Sequence, residues 1–255
     1  MKLFELCQNL DTLIPKTLSE EWDNDGNMLI VDKNAKVSKI LVTLDVTRAV
    51  FEKAKEICAN LVISHHPFIF KPLSNLDASV KSDLIFDFIK EGISVISYHT
   101  RFDSVKGGMN DALANALGLL NVREFEVMGR IGELENELSP EEFAAYVSEK
   151  LDTNVILYKG KTPVSTVGLL GGGGKDFVHP ARLEGAHAMV TGDVSHSVVM
   201  EECENGITIV DAGHFGTEKI FTSAIIPFLE KSGVCSENIV RFEPESPAVF
   251  VTKEF

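Results

Sequence analysis

Short apolar strands alternating with amphipathic helices along the whole chain predict an α/β fold. The expected form is two similar α/β lobes from an internal duplication, with mixed sheets and a metal site in the cleft between them. Three observations carry this prediction. Ile40-Leu41-Val42-Thr43-Leu44, a helical stretch over residues 47–59 and Leu61-Val62-Ile63 form a β-α-β unit, which is expected to be parallel and right-handed. Gly92-Ile93-Ser94-Val95-Ile96-Ser97-Tyr98-His99 matches residues 206–214 with one residue inserted. Residues 54–64 line up with residues 181–191, small residue for small and apolar for apolar. The lobes are expected over residues 1–125 and 126–255, and the alternating stretch 122–133 marks a strand at their boundary.

The elements follow in order. Leu3, Phe4, Leu6, Leu10 and Leu13 are spaced as one face of an opening helix. The polar turn Glu21-Trp22-Asp23-Asn24-Asp25-Gly26 surrounds the only tryptophan, expected as a buried anchor. Residues 28–31 and 40–44 read as strands, and Asp45 ends the second. Residues 80–90 are helical and Gly92 stops them. The strand 93–98 runs into His99, and residues 110–119 form a helix. In the second lobe Ser139-Pro140-Glu141-Glu142 opens a helix with an N-cap serine, a proline and acids in the first turn. Strands are expected at 155–158, 166–170, 188–190, 207–210, 239–242 and 248–252. Helices are expected at 180–185, 197–203 and 218–231, the last broken or kinked by Pro227.

Composition narrows the function. Twenty-four basic against 38 acidic residues give a net charge of −14, which repels phosphate backbones and disfavours nucleic-acid binding. The four cysteines, Cys7, Cys58, Cys203 and Cys235, are too scattered for a thiolate zinc site and suit a reducing compartment. Glu5 stands where a signal peptide would need apolar residues, and no apolar run spans a bilayer. A cytoplasmic protein is expected.

The chemistry is concentrated in histidines at strand ends. Ser64-His65-His66-Pro67 closes one strand, where α/β sheets build their sites. His99 is followed four residues later by Asp103, and His214 four residues later by Glu218. If both lobes face one cleft, His65, His66, His99, Asp103, His214 and Glu218 converge. Two imidazoles from one turn, together with these acids, fit two neighbouring ions better than one. Imidazole and carboxylate without thiolate suit zinc, manganese or iron alike. His99 reads as a further ligand, an orienting group or a proton shuttle, with the last two preferred. Asp45 and Asp193 read as turn or supporting residues. His179, His187 and His196 read as structural. Gly171-Gly172-Gly173-Gly174 reads as a flexible turn without phosphate-loop spacing.

Trp22-Asp23-Asn24, Ser64-His65-His66-Pro67, His99-Thr100-Arg101-Phe102-Asp103 and Gly213-His214-Phe215-Gly216-Thr217-Glu218 resemble, in order, the motifs of the NIF-three-like (NGG-interacting factor three) family. Its bacterial members go by the name GTP cyclohydrolase 1 type 2 homologue. The resemblance implies a two-lobed fold holding two divalent metals per chain, with His65, His66, Asp103, His214 and Glu218 as ligands and His99 nearby as a catalytic group. It also implies a toroidal homohexamer and a hydrolase whose metal-bound hydroxide opens the purine ring of GTP. Arg101-Phe102 stands where the family more often has Asn-Leu, which is expected to place a cation near the site and to alter substrate preference. The alternative is a non-catalytic, metal-stabilised ring that binds protein or DNA partners.

Overall fold

The computed structural model describes residues 1–244, 246, 248 and 249. In chain order its elements are α1 (Leu3–Leu13), β1 (Gly26–Leu29), β2 (Ile40–Thr43), α2 (Arg48–Glu56), β3 (Leu61–Ser64), α3 (Val80–Lys90), β4 (Ser94–Ser97), α4 (Thr100–Ser104), α5 (Met109–Ala116), β5 (Leu120–Phe125) and β6 (Gly129–Leu138). They continue with α6 (Pro140–Leu151), β7 (Ile156–Tyr158), β8 (Val164–Gly173), α7 (Val178–Leu183), β9 (Ala188–Gly192), α8 (His196–Glu204), β10 (Thr208–Asp211), α9 (His214–Glu218), α10 (Phe221–Ala224), α11 (Ile226–Lys231) and β11 (Ile239–Arg241). The closing strand expected at 248–252 falls mostly outside the described residues.

Local signals explain most boundaries. Thr47 and Ser79 cap α2 and α3 through side-chain oxygens that accept backbone N–H groups. Ser139 and Glu142 cap α6 reciprocally, with Pro140 in the first turn. Gly92 adopts φ +68° just after α3, a conformation glycine reaches without penalty. The helix expected at 218–231 is two short ones, α10 and α11, and Glu218 instead ends α9. Pro227 sits in the first turn of α11, where its missing N–H costs nothing, and the earlier break after Glu218 has no sequence signal. The strand at 122–133 is a hairpin of β5 and β6, paired antiparallel.

Two mixed sheets result. The five-stranded sheet has the order β1-β4-β3-β2-β11, and the six-stranded sheet has the order β5-β6-β8-β9-β10-β7. In the first, β2, β3 and β4 run parallel and β1 is antiparallel to β4. In the second, β8, β9 and β10 run parallel and β7 is antiparallel to β10. Each antiparallel edge strand precedes its parallel trio in the chain, so four strands share one connectivity in both sheets.

Each sheet is covered on both faces. Ile40, Val42, Leu61, Ile63 and Ile96 pack with Leu3, Leu6, Leu10, Phe221 and Leu229, while Leu41, Val62 and Val95 turn to Val50, Phe51, Leu84 and Phe88. This is the two-faced alternation of a buried strand. In the second sheet Val167, Leu169, Val190 and Val210 pack with Leu113, Leu117, Phe143 and Val147. Met189, Ile207 and Ile209 face Val178, Ala181 and Val199.

The two halves of the sequence exchange pieces. Leu113 and Leu117, from α5 and its end, pack on the second sheet. Phe221, Ile225, Phe228 and Leu229 return to the first core, and β11 pairs parallel to β2. The carboxyl ends of β3, β4, β8, β9 and β10 are thereby held against one another.

Candidate metal centre

His65 and His66 follow β3 directly, and the chain leaves the strand there as Pro67 favours. Their backbone N–H groups donate to the carbonyls of Thr43 and Leu44 on the neighbouring strand end. His99 stands at the start of α4 and His214 opens α9. Asp103 and Glu218 lie one helical turn further on, on the same faces as those histidines. The six residues singled out from the sequence come together.

The geometry is defined by which ring nitrogen faces where. His65 Nδ1 bonds the Tyr98 carbonyl at 2.9 Å, and a carbonyl only accepts, so Nδ1 carries the proton. His66 Nδ1 meets Asp45 Oδ1 at 2.8 Å, His214 Nδ1 meets Asp193 Oδ2 at 2.8 Å, and His99 Nδ1 meets Asp23 Oδ1 at 2.8 Å. Every ring is thus anchored through Nδ1, leaving Nε2 as the free nitrogen. His66 Nε2 and His214 Nε2 approach to 3.3 Å, and each lies 3.0 Å from Glu218 Oε2. His65 Nε2 lies 3.6 Å from Glu218 Oε1 and 3.7 Å from Asp103 Oδ1. The two oxygens of Glu218 therefore face two separate donor groups.

Two atoms at this point, His65 Nε2 and Asp103 Oδ1, are buried without a hydrogen-bond partner. Such groups are costly to bury unless something satisfies them. The trios His65, His66, His99 and His66, His214, Glu218 each bring their donor atoms within 4.8 Å of one another. The residues fit divalent cations by donor type, convergence and unsatisfied lone pairs.

Without a metal, protons would occupy the site. Burial alone would lower His66, but hydrogen bonds to Asp45 and Glu218 carry it up to about 10. The Glu218 carboxylate is the main cause that raises His214 to about 9, helped by Asp193. Burial lowers His65 and keeps it neutral. Burial, and then the charge of Glu218, raises Asp103 well above the carboxylate range. Burial would also raise Glu218, yet the surrounding imidazoles hold it well below its ordinary value. Burial opposes ionisation of Asp23, but hydrogen bonds from His99 and Thr100 hold it at about 2.

The structure alters several expectations. Arg101 does not approach the site. It is 2% exposed and turned into the first lobe, where it pairs with Asp11 at 2.7 Å and Asp25 at 2.9 Å and covers the Tyr98 ring at 4.4 Å. A buried guanidinium needs carboxylates more than water can offer here, and both lie on the far side of α4. Trp22 is not a buried anchor but 60% exposed, with its ring edge-on to His99 at 6.0 Å and to Phe70 at 6.2 Å. The glycine run is no flexible turn. Gly171 to Gly173 end β8, and a Cβ on Gly172 (φ +69°) would lie 2.2 Å from Glu218 Oε1. Glycine is needed there so that backbone can pass behind the carboxylate.

Asp23 escaped sequence reasoning because its partner His99 is 76 residues away. Asp45 and Asp193, read as supporting residues, each hold a histidine 21 residues later in the chain. That shared spacing was available in the sequence. A cleft of about 450 Å³ opens beside the cluster, lined by Trp22, His99, Asp103, Phe177, His214 and Glu218 among others.

A model of the family Duf34/NIF3 (NGG1p interacting factor 3) matches residues 1–244. A GTP cyclohydrolase 1 type 2 homolog of Clostridium acetobutylicum is 34% identical over 231 residues, covering 86% of this chain and 85% of that protein. NIF3-like protein 1 of Drosophila melanogaster is 31% identical over 244 residues, covering 91% of this chain and 82% of the relative. A Bacillus cereus protein related to NIF3, whose crystal structure is solved, superposes with a TM-score of 0.88 at 23% identity, over 98% of this chain and 99% of that one.

Proposed function

Because the chain belongs to the Duf34/NIF3 family, we propose that it is a hydrolase acting on a small molecule through two divalent metal ions held by His65, His66, Asp103, His214 and Glu218. The relatives' name points to a nucleotide and to opening of its purine ring. The single observation that carries the reading is the convergence of imidazole Nε2 atoms on two buried carboxylates, with His65 Nε2 and Asp103 Oδ1 left without hydrogen-bond partners. Divalent ions there would supply Lewis acidity and an activated water. Zinc, manganese and iron all suit the donors.

The chain's own residues would do the rest. Glu218, with one oxygen facing His66 and His214 and the other facing His65, would hold the ions jointly with those histidines and Asp103. Asp45 and Asp193 fix the rings of His66 and His214. His99, backed by Asp23, is placed to hold or deliver a proton at the mouth of the cleft. Asp103→Ala and Glu218→Ala are expected to lose bound metal and metal-dependent turnover together. Full turnover by either variant after loss of metal would refute the assignment.

We further take the assembled state to be the toroidal homohexamer that the family resemblance implies. The exposed side chains of Leu73, Leu76 and Val80 offer apolar surface for copies to bury. Light scattering of the metal-loaded protein tests this. Among the described residues no helix is long and apolar enough to cross a membrane, and the four cysteines are free, which supports the cytoplasm as its compartment. A net charge of −14 speaks against DNA as the partner.

A further inference from the structure

The cleft beside the cluster has an aromatic wall and, among the described residues, no lysine or arginine in its lining. Its tryptophan is the only one in the chain and is 60% exposed, although an indole is among the side chains that gain most from cover. The ring is held in this position. Asp23, next to it, accepts hydrogen bonds from the backbone and hydroxyl of Thr100 and pairs with His99. Asn24 donates to the Ile69 carbonyl, which fixes the loop carrying Phe70. Trp22-Asp23-Asn24 thus sets an aromatic platform against the metal cluster. Met128, Leu170 and Phe177 also line the cleft, and at about 450 Å³ it is of small-ligand size.

Charge decides what can enter. Glu20 and Asp176 line the cleft and, among the described residues, no Lys or Arg does. Asp23, Asp45, Asp103, Asp193 and Glu218 surround the histidines, more carboxylates in all than two divalent ions would neutralise. Arg101 and Lys81 are engaged elsewhere. Arg101 is buried against Asp11 and Asp25. Lys81 lies in a separate cleft on the other side of His66 and bonds the Phe68 carbonyl.

We propose that this cleft recognises a planar, uncharged nitrogen heterocycle, a purine-type ring or its nucleoside, by face contact with Trp22, and that it turns polyphosphates away. Ring N–H groups suit the Glu20 and Asp176 carboxylates, whereas a triphosphate would meet only like charge beyond the metals. The inference rests on the metal-site reading of the adjoining cluster.

The test uses metal-loaded protein titrated with guanosine, GTP and inorganic triphosphate. Trp22, as the sole tryptophan, reports binding through its emission. Guanosine is expected to quench it and to bind at least about tenfold tighter than GTP by calorimetry, while triphosphate leaves the emission unchanged. Trp22→Ala should weaken guanosine roughly 5- to 100-fold, and Trp22→Phe should restore part of the loss. The double variant Glu20→Lys, Asp176→Lys should narrow the gap between guanosine and GTP. GTP binding as tightly as guanosine, absence of guanosine binding, or unchanged binding by Trp22→Ala would overturn the proposal. Metal content of each variant is measured alongside. A wild-type protein that retains no metal defeats the underlying site, whereas a metal-loaded protein blind to guanosine defeats only the heterocycle.

Discussion

Glu218 has one carboxylate oxygen toward His65 and the other toward His66 and His214, so the whole site turns on a side chain that is 4% exposed. Around it, aspartates far from the cleft's mouth decide where imidazoles point. Asp45→Asn and Asp193→Asn should each weaken metal binding roughly 10- to 100-fold. Isothermal titration with zinc or manganese checks this, and unchanged affinity in both would count against the orienting role. Much at this scale was legible in the sequence. The H-x-x-x-acid endings pointed to the His99–Asp103 and His214–Glu218 pairings without any structure, because a four-residue helical spacing puts both side chains on one face. Asp23 was not legible, since nothing local connects it to His99. Arg101 misled for a related reason. Position in the chain placed it beside Asp103, but successive helix residues face different ways, and its partners Asp11 and Asp25 come from distant segments.

At the scale of elements, short helices carry the site and long-range contacts hold them. α4 is five residues long, too short to persist alone, and is pinned by the Arg101–Asp25 pair and by the Asp23 bonds to Thr100. Arg101→Met would leave the Asp25 carboxylate, whose side chain has no exposure, with Lys16 and the Ser19 hydroxyl on Oδ1 and nothing to replace the guanidinium on Oδ2. Breaking a buried pair in this way costs about 3–5 kcal/mol, measurable by urea denaturation. On the other side, β8 passes so close to Glu218 that Gly172→Ala must move the carboxylate or the strand. Adding the cost of φ +69°, the substitution should destabilise by about 1–3 kcal/mol and reduce bound metal. A variant that keeps both metal content and melting temperature would contradict this packing. Strands and long helices followed from apolar periodicity and caps. The glycine run did not, because a sequence shows where a Cβ is missing but not which atom occupies its space.

For the molecule as a whole, protons occupy the same cluster that is proposed to hold metal. His66 at about 10 and His214 at about 9 both stand above the ordinary imidazole value near 6.5. Groups raised on folding stabilise fully below the unfolded value, and that contribution is lost as pH rises through the folded one. The metal-free protein should therefore melt at progressively lower temperature between about pH 6.5 and 10, while metal affinity increases over the same window as protons leave the ligands. Calorimetry of metal-free and metal-loaded samples checks both directions, and a metal-free melting temperature that climbs across this window would contradict the protonated site. The two-sheet α/β plan was legible from alternating patterns, and four strands of each sheet do share one connectivity. The exchange of α5, α10, α11 and β11 between the halves was not, since each packs as an ordinary amphipathic segment wherever it lands.

That exchange has a consequence for how the molecule is made. β2 and β11, neighbours in the first sheet, are about two hundred residues apart in the chain. At ribosomal speeds of roughly 5–20 residues per second, the β2 edge waits on the order of 10–40 seconds for its partner strand. During that interval a buried, apolar strand shows an open backbone edge to other nascent chains. Aggregation during synthesis is thus a hazard of this topology before any ligand is in place, and slow translation of the last forty residues would lengthen it.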